Sequence, residues 1–427
     1  MYSHRNCLLL HSLMNYNTET LPNGLRLIHL PSGSPVVYLG YQLAVGSRNE
    51  TSGQEGLAHL CEHMTFKGTA TRSALQVISE LERVGGDLNA FTTKDTTTYY
   101  AAVMQQHTGR AVDLLTDIVF HSVYPESELE HERDVVCDEI ESYNDSPAEL
   151  IYDEFENVLF AGTPLGHNIL GTAERVRQFS HDDLMAFTRH WYLPENAVFF
   201  VYGDIDFRWL VRRLTRLTAD IEQIGPSSAE ETTQPSSPIT QHPTPIDHHS
   251  STNTHHQMHV MIGTRAYAHS DRRRMALFVL NNLLGGPAMS ARLNLSLRER
   301  HGLVYTVESS MVSYADTGSW AIYFGCDHAD AKRCLRLVRR ELDRVMAKPL
   351  STRQLTAAKQ QLKGQIGIAV DNHEQFALDF GRSYLHHGTE RHLSRLFADI
   401  DAVTPEDVQQ VAQELFTEER LLTHVIG

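Results

Sequence analysis

Residues 183–203 of the chain are DLMAFTRHWYLPENAVFFVYG, and residues 407–427 are DVQQVAQELFTEERLLTHVIG. These two segments are equally long and align without a gap, so that Glu195 lies opposite Glu419 and both segments end in glycine. In each segment, a stretch with helical periodicity leads through a short turn to an apolar run, which predicts a helix, a turn and a strand. Recurrence of such a unit in the two halves of a chain is typical of an internal duplication. We therefore expect two homologous domains.

A change of composition near the middle of the chain predicts where these domains meet. At 427 residues the chain is too long for one ordinary hydrophobic core. Between residues 224 and 254 it is rich in Ser, Thr, Pro and Gln, which cannot bury a core. We expect a first domain over 15–223, a linker over 224–254 and a second domain over 255–427, with residues 1–13 as an unstructured extension. Five histidines of this region are expected to be solvated rather than to form a second metal site: His242, His248, His249, His255 and His256.

Strands and helices alternate in the first half of the sequence. Strands are predicted at 36–45 and 197–202, with a β-hairpin over 87–103. Helices are predicted for the histidine motif described below, for a segment that Ser73 caps and Gly85-Gly86 ends, and for residues 108–120, 126–143, 148–160 and 181–191.

Charge and cysteine content restrict the class of protein. The formal net charge of −16 argues against binding to nucleic acid or to an anionic membrane, since both favour a positive surface. A membrane-spanning helix needs about 20 consecutive apolar residues, and no stretch of the sequence comes near this length. The five cysteines are scattered and lack a C-x-x-C pair, which is typical of free thiols in a reducing compartment. We therefore expect a cytoplasmic protein.

The sequence His59-Leu60-Cys61-Glu62-His63 carries the most specific chemistry in the chain. On a helix, residues four apart lie on one face, so both imidazoles can point at one metal ion with Glu62 beside them. This is the H-x-x-E-H arrangement of inverzincin peptidases. When the alignment of the two halves is extended back to this motif, the second half has Leu283, Gly286 and Pro287 instead, so we expect a metal site in the first half only.

A catalytic zinc commonly takes three protein ligands, and residues 130–141 offer the third. Glu132 and Glu139 are seven residues apart, or two helical turns on one face, while Val135 and Val136 between them can pack inward. Glu139 would bind the metal, and Glu132 would accept the proton of the histidine nitrogen that faces away from it. The alternative is that this helix simply has a solvated acidic face.

Asn89-Ala90-Phe91 follows a glycine turn in the predicted hairpin. An exposed strand edge at this place would accept an extended peptide as an added strand, with backbone hydrogen bonds that tolerate many sequences. The alternative is an interior strand, which has no free edge.

These motifs resemble the pitrilysin or insulinase-like family of zinc metallopeptidases, in particular its two-domain, processing-peptidase-like members. Glu139 follows His63 at the distance that the family pattern requires, and the motif continues into Lys67-Gly68-Thr69. Further matching blocks are GDLNAFT at 86–92, LGTAE at 170–174, YLPEN at 192–196 and LRERHGLVY at 297–305. The resemblance implies an α+β fold of two homologous domains, each a mostly antiparallel sheet covered by helices, joined by a linker.

The resemblance also implies roles for single residues. His59, His63 and Glu139 would hold one Zn²⁺ per chain, Glu62 would be the general base, and Glu132 would be the supporting carboxylate. Asn89, Ala90 and Phe91 would bind substrate, as would Arg298 and Tyr305, which would also stabilise the developing oxyanion. Because the family encloses its site in a chamber of four domains, a two-domain chain is expected to form a homodimer in which Arg298 and Tyr305 approach the partner's zinc.

The sequence thus predicts a zinc-dependent endopeptidase acting on peptides or unfolded short polypeptides. One alternative is a non-catalytic structural subunit, although such relatives typically lack the motif. Another is a chain that needs a separate inactive partner. The chain departs from processing peptidases at residues 284–293, where Pro287 interrupts a shorter glycine run, so a mobile loop that captures presequences is not expected here.

Overall fold

The computed structural model describes residues 15–221, 248–250 and 257–427, with only the backbone described for 248–250. The expected N-terminal extension, most of the expected linker with His242, and the neighbouring His255 and His256 lie outside the described residues. Among the described residues, no helix combines the length and the apolar character needed to cross a membrane.

The described chain has two sheets and a set of helices around them. The strands are β1 (Asn17–Thr20), β2 (Arg26–Leu30), β3 (Val36–Leu43), β4 (Asp87–Thr92), β5 (Thr97–Met104), β6 (Ala197–Tyr202), β7 (His248–Ser250), β8 (Met258–Ala266), β9 (Val304–Ser313), β10 (Gly318–Cys326) and β11 (Leu422–Ile426). The α-helices are α1 (Leu57–Thr65), α2 (Ala74–Glu82), α3 (Thr108–His121), α4 (Glu126–Asn144), α5 (Pro147–Leu159), α6 (Ala173–Val176), α7 (His181–Trp191), α8 (Phe207–Leu217), α9 (Arg273–Gly285), α10 (Ala331–Ala347), α11 (Thr352–Ala369), α12 (His373–His387), α13 (Leu393–Ala402) and α14 (Pro405–Leu415). A π-helical segment, Asn294–Glu299, precedes β9.

The strands and helices predicted in the first half are all present, with bounds that differ only slightly from those expected. The strands of the described chain form two sheets, whose topology matches except that β1 has no counterpart in the second sheet. The first has the strand order β1-β2-β6-β3-β5-β4, and the second has the order β7-β11-β8-β10-β9. All neighbouring strands are antiparallel except β2 with β6 and β7 with β11, which are parallel. The expected α+β class with mostly antiparallel sheets is therefore confirmed.

The order of strands makes β7 the counterpart of β2, since each lies parallel to the last strand of its half. Residues 248–250 were predicted as linker, so this part of the prediction is wrong. The reason is that β7 is held by backbone pairing with β11, which amino-acid composition does not reveal.

The duplicated segment forms the predicted helix, turn and strand in both halves. The helices α7 and α14 begin at 181 and 405 and end at 191 and 415, which is the same displacement that aligns the two sequences. Each starts at a capping box, Ser180 with Asp183 and Thr404 with Asp407. In both boxes the hydroxyl and the carboxylate satisfy backbone N–H groups that the first helical turn leaves open.

Two compact units contain these sheets. Among the described residues, the first comprises 15–141, 167–221 and 368–393, and the second comprises 142–166, 248–250, 257–367 and 394–427. Each unit therefore contains one long helix from the other half of the sequence. In the first unit α12 packs on β3 and β6, and in the second unit α5 packs on the equivalent strands β8 and β11.

The helix α12 lies directly on the first sheet because glycine occupies the point of closest approach. A Cβ atom at Gly381 would meet Gln42 Oε1 at 2.7 Å and Phe200 Cβ at 3.0 Å. Gln42 cannot easily move away, because its Nε2 donates a 3.0 Å hydrogen bond to the carbonyl of Leu378 on the same helix. The first sheet and α12 thus need a residue without a side chain at position 381.

We expect Gly381→Ala to lower the free energy of unfolding by about 1–3 kcal/mol, the usual cost of overpacking a well-packed contact. The control is Gly364→Ala in α11, where a Cβ atom would meet no described atom within 4 Å. Because alanine favours a helix interior over glycine, this control should stabilise the protein by about 0.5–1 kcal/mol. Denaturant titration of both variants measures the difference, and equal effects of the two substitutions would contradict the packing described here.

Candidate metal centre

The helix α1 places His59 and His63 on the same face. Their ring centroids are 4.6 Å apart. The other face of the helix fixes this orientation, because four of its apolar side chains are fully buried in the core of the first unit: Leu57, Leu60, Cys61 and Met64. The histidine pair is therefore presented by a helix whose rotation the core determines.

The start of α1 is held by a buried carboxylate rather than by a cap of its own. Gly56 at the N-cap has a left-handed φ of 97° and no side chain to accept hydrogen bonds. Glu50 supplies the acceptors instead, with Oε1 at 2.8 Å from the Ala58 nitrogen and Oε2 at 3.1 Å from the Gly56 nitrogen. His167 Nε2 lies 3.0 Å from the same Oε2. Burial raises the pKa of Glu50, and its hydrogen bonds oppose that rise.

The segment 170–174, one of the blocks quoted from the sequence, packs against this helix start. A Cβ atom at Gly171 would collide with the carbonyl oxygen of Glu55, and one at Gly56 would lie 2.6 Å from the carbonyl oxygen of Leu170. Two glycines therefore allow two backbone segments to touch, which explains why the block belongs to the site although it contributes no ligand.

Glu139 on α4 faces both histidines. Its Oε2 atom is 3.4 Å from His63 Nε2 and 3.9 Å from His59 Nε2. Together the three residues form a group whose donor atoms all lie within 4.8 Å of one another. The structure thus brings together the three residues that were predicted as metal ligands.

The donor set fits a zinc ion. Nitrogen and oxygen ligands of tetrahedral zinc lie about 2.0–2.2 Å from the metal, so neighbouring donor atoms are about 3.3–3.5 Å apart. The observed separations of 3.4 and 3.9 Å are close to this spacing. Two imidazoles and one carboxylate are also the ligand types of a common catalytic zinc site, which keeps one further position open.

The protonation of the histidines agrees with a cation site. Burial, together with the charge of His63, lowers the pKa of His59 to about 4, so this ring is neutral at neutral pH. Its Nδ1 atom is buried without a hydrogen-bond partner among the described residues. Burial also tends to lower the pKa of His63, but hydrogen bonds to Glu132 and Glu139 raise it to about 9. Two carboxylates therefore attract a proton to a place where a metal ion would compete with it.

Glu132 supports His63 from the side away from the ligand group. It is buried, and its Oε1 atom lies 3.1 Å from His63 Nδ1. Its Oε2 atom lies 2.5 Å from Lys67 Nζ. Burial alone would raise the pKa of Glu132, but His63 and Lys67 hold it below its usual value. An ionised Glu132 keeps the Nδ1 proton of His63, which leaves Nε2 directed toward Glu139.

The alternative hypothesis, that α4 simply has a solvated acidic face, is wrong for Glu132, because this residue is buried. Val136 is also buried, as predicted, but Val135 is 37% exposed, so the prediction that it packs inward is wrong. The reason is that Val135 lies one helical turn before Glu139 and shares the open side of the helix with it.

Glu62 lies beside the ligand group but outside it. The residue is buried, and its Oε2 atom accepts a 2.5 Å hydrogen bond from Thr92 Oγ1. Burial raises the pKa of Glu62, while the hydrogen bond from Thr92 lowers it. A carboxylate with a raised pKa and a fixed orientation is suited to accepting and returning a proton.

Thr92 and Lys67 were not among the predicted site residues, although both lie in quoted sequence blocks. Thr92 directly follows Asn89-Ala90-Phe91, and all four residues lie on β4.

In the described part of the first sheet β4 is a terminal strand that pairs with β5 on one side, so the interior-strand alternative is wrong.

Arg298 and Tyr305 belong to the second unit, whereas the ligand group belongs to the first. Arg298 lies at the end of the π-helical segment and is exposed. Tyr305 lies on the terminal strand β9 with 81% of its surface exposed. Both side chains are therefore accessible for contact with another molecule.

Two family models match the chain, one in each half. A family model described as "Insulinase (Peptidase family M16)" matches residues 28–173, which include the whole ligand group. A second model, "Peptidase M16 inactive domain", matches residues 178–362, where the sequence lacks the histidine motif.

Relatives and solved structures match over nearly the whole chain. An uncharacterized zinc protease of Bacillus subtilis is 32% identical over 406 residues, covering 94% of this chain and 96% of its own. One of Streptomyces coelicolor is 33% identical over 410 residues, covering 95% of this chain and 88% of its own. A protease structure from Helicobacter pylori superposes with a TM-score of 0.87 at 22% identity, covering 97% of this chain and 99% of its own. The chain therefore belongs to the insulinase family, peptidase family M16.

Proposed function

We propose that the protein is a zinc-dependent endopeptidase with one Zn²⁺ per chain and Glu62 as its general base. The observation that carries the proposal is the convergence of His59, His63 and Glu139 on one point, with a buried carboxylate beside them that is not a ligand. In the part of the chain that the structure describes, this is the one group of three such side chains close enough to share an ion. Relatives named zinc proteases support the choice of metal.

The chemistry divides between the ion and the side chains. A zinc ion supplies Lewis acidity, which lowers the pKa of water to about 7 and polarises a carbonyl group. Glu62 takes a proton from the attacking water and returns it to the amine that leaves when the peptide bond breaks. Thr92 holds the carboxylate of Glu62 in one orientation during both transfers, because its hydroxyl donates to Oε2. Glu132 and Lys67 keep the His63 ring in the tautomer whose Nε2 can bind a metal ion.

The substrate class follows from the terminal strand β4. Its free edge offers backbone donors and acceptors to an extended peptide, and Thr92 at its end contacts the base. An added strand beside Asn89, Ala90 and Phe91 would therefore lie near the ligand group. Backbone pairing requires an unfolded segment but tolerates many sequences, so peptides and unfolded short polypeptides are the proposed substrates.

The proposal includes a homodimer that encloses a chamber. Arg298 and Tyr305 are exposed on the second unit, where a guanidinium and a phenol would bind substrate and stabilise an oxyanion. In the dimer these side chains would reach the site of the partner. A cytoplasmic location is also part of the proposal, and it is supported by the four described cysteines, which are buried free thiols.

Glu62→Gln should retain zinc but lower cleavage of an unstructured peptide library by on the order of 10²–10⁴-fold, because the amide cannot take up the proton. Zinc content measured by atomic absorption and peptide cleavage followed by mass spectrometry check the two parts separately. The control is Glu82→Gln, which changes an exposed glutamate at the end of α2 and should leave both unchanged. Cleavage at the native rate by the zinc-loaded Glu62→Gln protein would overturn the proposed mechanism.

Glu139→Gln should lose zinc during dialysis that the native protein withstands, because a neutral amide replaces the anionic ligand. Glu141→Gln is the matched control, since it changes an exposed glutamate two residues further along the same helix. Competition with a chromogenic chelator gives the zinc affinity of each variant. Unchanged zinc affinity in the Glu139→Gln protein would assign the third ligand elsewhere.

Lys67→Met should weaken zinc binding by about 10–100-fold, the usual effect of removing a partner from behind a ligand. The substitution leaves Glu132 buried without its cation, so Glu132 becomes easier to protonate and holds the His63 proton less well. Lys67→Arg keeps the charge and should restore most of the affinity. The same chelator competition measures both variants, and native affinity in Lys67→Met would show that Lys67 does not support the site.

A further inference from the structure

The turn between β4 and β5, residues 93–96, is polar yet buried. Lys94, Asp95 and Thr96 each expose less than a tenth of their surface. The backbone nitrogen of Thr93 donates to the carbonyl of Thr96 at 2.8 Å, and the Thr93 hydroxyl donates to the same carbonyl at 3.1 Å. A buried polar turn of this kind keeps one conformation only while all of its partners are in place.

Two side chains of α12 hold this turn from the second half of the sequence. Arg382 donates from its guanidinium to Asp95 Oδ1 at 2.7 Å. His386 Nε2 lies 2.8 Å from the Thr96 hydroxyl and 3.7 Å from Asp95 Oδ2. The carboxylate of Asp95 is thus engaged by a guanidinium and an imidazole on successive turns of one helix.

The same turn, residues 93–96, also contacts the elements that carry the ligand group and the base. Thr92, which binds Glu62, immediately precedes it. The carbonyls of Thr93 and Lys94 accept hydrogen bonds from the nitrogens of Ser47 and Arg48 at 3.1 and 2.8 Å, in the segment that leads to Glu50.

A second connection runs through the loop that contains His167. The Lys94 ammonium donates to the carbonyl of His167, whose ring contacts Glu50. Glu50 in turn holds the first nitrogens of α1. The turn is therefore bonded to both sides of Glu62, to the strand that orients its carboxylate and to the residues that fix the start of its helix.

We infer that Arg382 and His386 are positioning residues for the reaction proposed above, on which this inference rests. They touch neither the ligand group nor the peptide edge. They fix the turn, and the turn fixes Thr92 and Glu50, so that the carboxylate of Glu62 stays at its place beside the ligands. Misplacement of a reacting group by about 1 Å costs on the order of 100-fold in rate, which makes such support valuable.

Arg382→Met should lower kcat by about 10–100-fold, with a much smaller change in KM or zinc content, because Glu62 keeps its orientation only through Thr92 and its helix, whereas a bound metal ion would itself hold His59, His63 and Glu139 together. Arg391→Met is the matched control. It removes an ion pair of similar length, to Asp379 on the same helix, at a place that does not contact the turn. This control should leave kcat unchanged.

Three further measurements separate positioning from a general loss of structure. Hydrogen exchange at the Ser47 and Arg48 amides should accelerate in Arg382→Met but not in Arg391→Met, in protein prepared without zinc. Arg382→Lys should recover part of kcat. The effects of Arg382→Met and Thr92→Val should be less than additive, because both act on the orientation of Glu62.

If Arg382→Met proves too unstable to assay, His386→Gln provides the same comparison, with kcat and the Ser47 and Arg48 exchange rates as readouts. Native kcat and native exchange rates in Arg382→Met or in His386→Gln would overturn the inference while leaving the peptidase proposal intact. Native cleavage by Glu62→Gln would overturn the peptidase mechanism instead, so the two failures are distinguishable.

Discussion

The site depends on the buried carboxylate of Glu50, which accepts hydrogen bonds from the backbone nitrogens at the start of α1. The helix begins at a glycine without a capping side chain, so its first nitrogens would otherwise be buried without acceptors. Each unsatisfied buried group costs about 1–3 kcal/mol, and an anionic acceptor at a helix N-terminus also interacts favourably with the helix dipole. His59 and Glu62 follow within two turns of this point. Their positions therefore derive from a residue that itself performs no chemistry.

Four glutamates around α1 have different surroundings, which suit them to different roles. Burial raises the pKa of both Glu50 and Glu62, whereas cationic partners hold those of Glu132 and Glu139 below the usual value. Glu132 and Glu139 therefore remain anionic, as their proposed roles of histidine support and metal ligand require. Glu62 accepts its hydrogen bond from a neutral hydroxyl and remains the one suited to moving a proton. Sequence spacing does not distinguish these roles, but burial and partner charge do.

The sequence predicts those features that local patterns encode. The helix and strand of the duplicated segment and the spacing of the two histidines with Glu139 can all be read from the sequence. Lys67, Thr92 and Glu50 are not, because each acts through a contact between segments that lie far apart in sequence: Lys67 with Glu132, Thr92 with Glu62, and Glu50 with His167. The short strand β7 escapes prediction for a related reason, since its pairing with β11 leaves no mark on composition.

Each unit contains one helix from the other half of the sequence, α12 in the first unit and α5 in the second. Amphipathic periodicity does not predict this exchange of helices. The pattern identifies the apolar face of a helix but not the sheet that buries it. In the first unit, Phe376 and Phe380 of α12 cover Ile28, Val198 and Phe200, so one face of the first sheet is completed by residues from the second half of the chain. A duplication in which only one copy retains the metal ligands would leave the other copy free to diverge. The exchange of helices limits that freedom. The half of the chain without the histidine motif still supplies α12, and the first sheet depends on this helix.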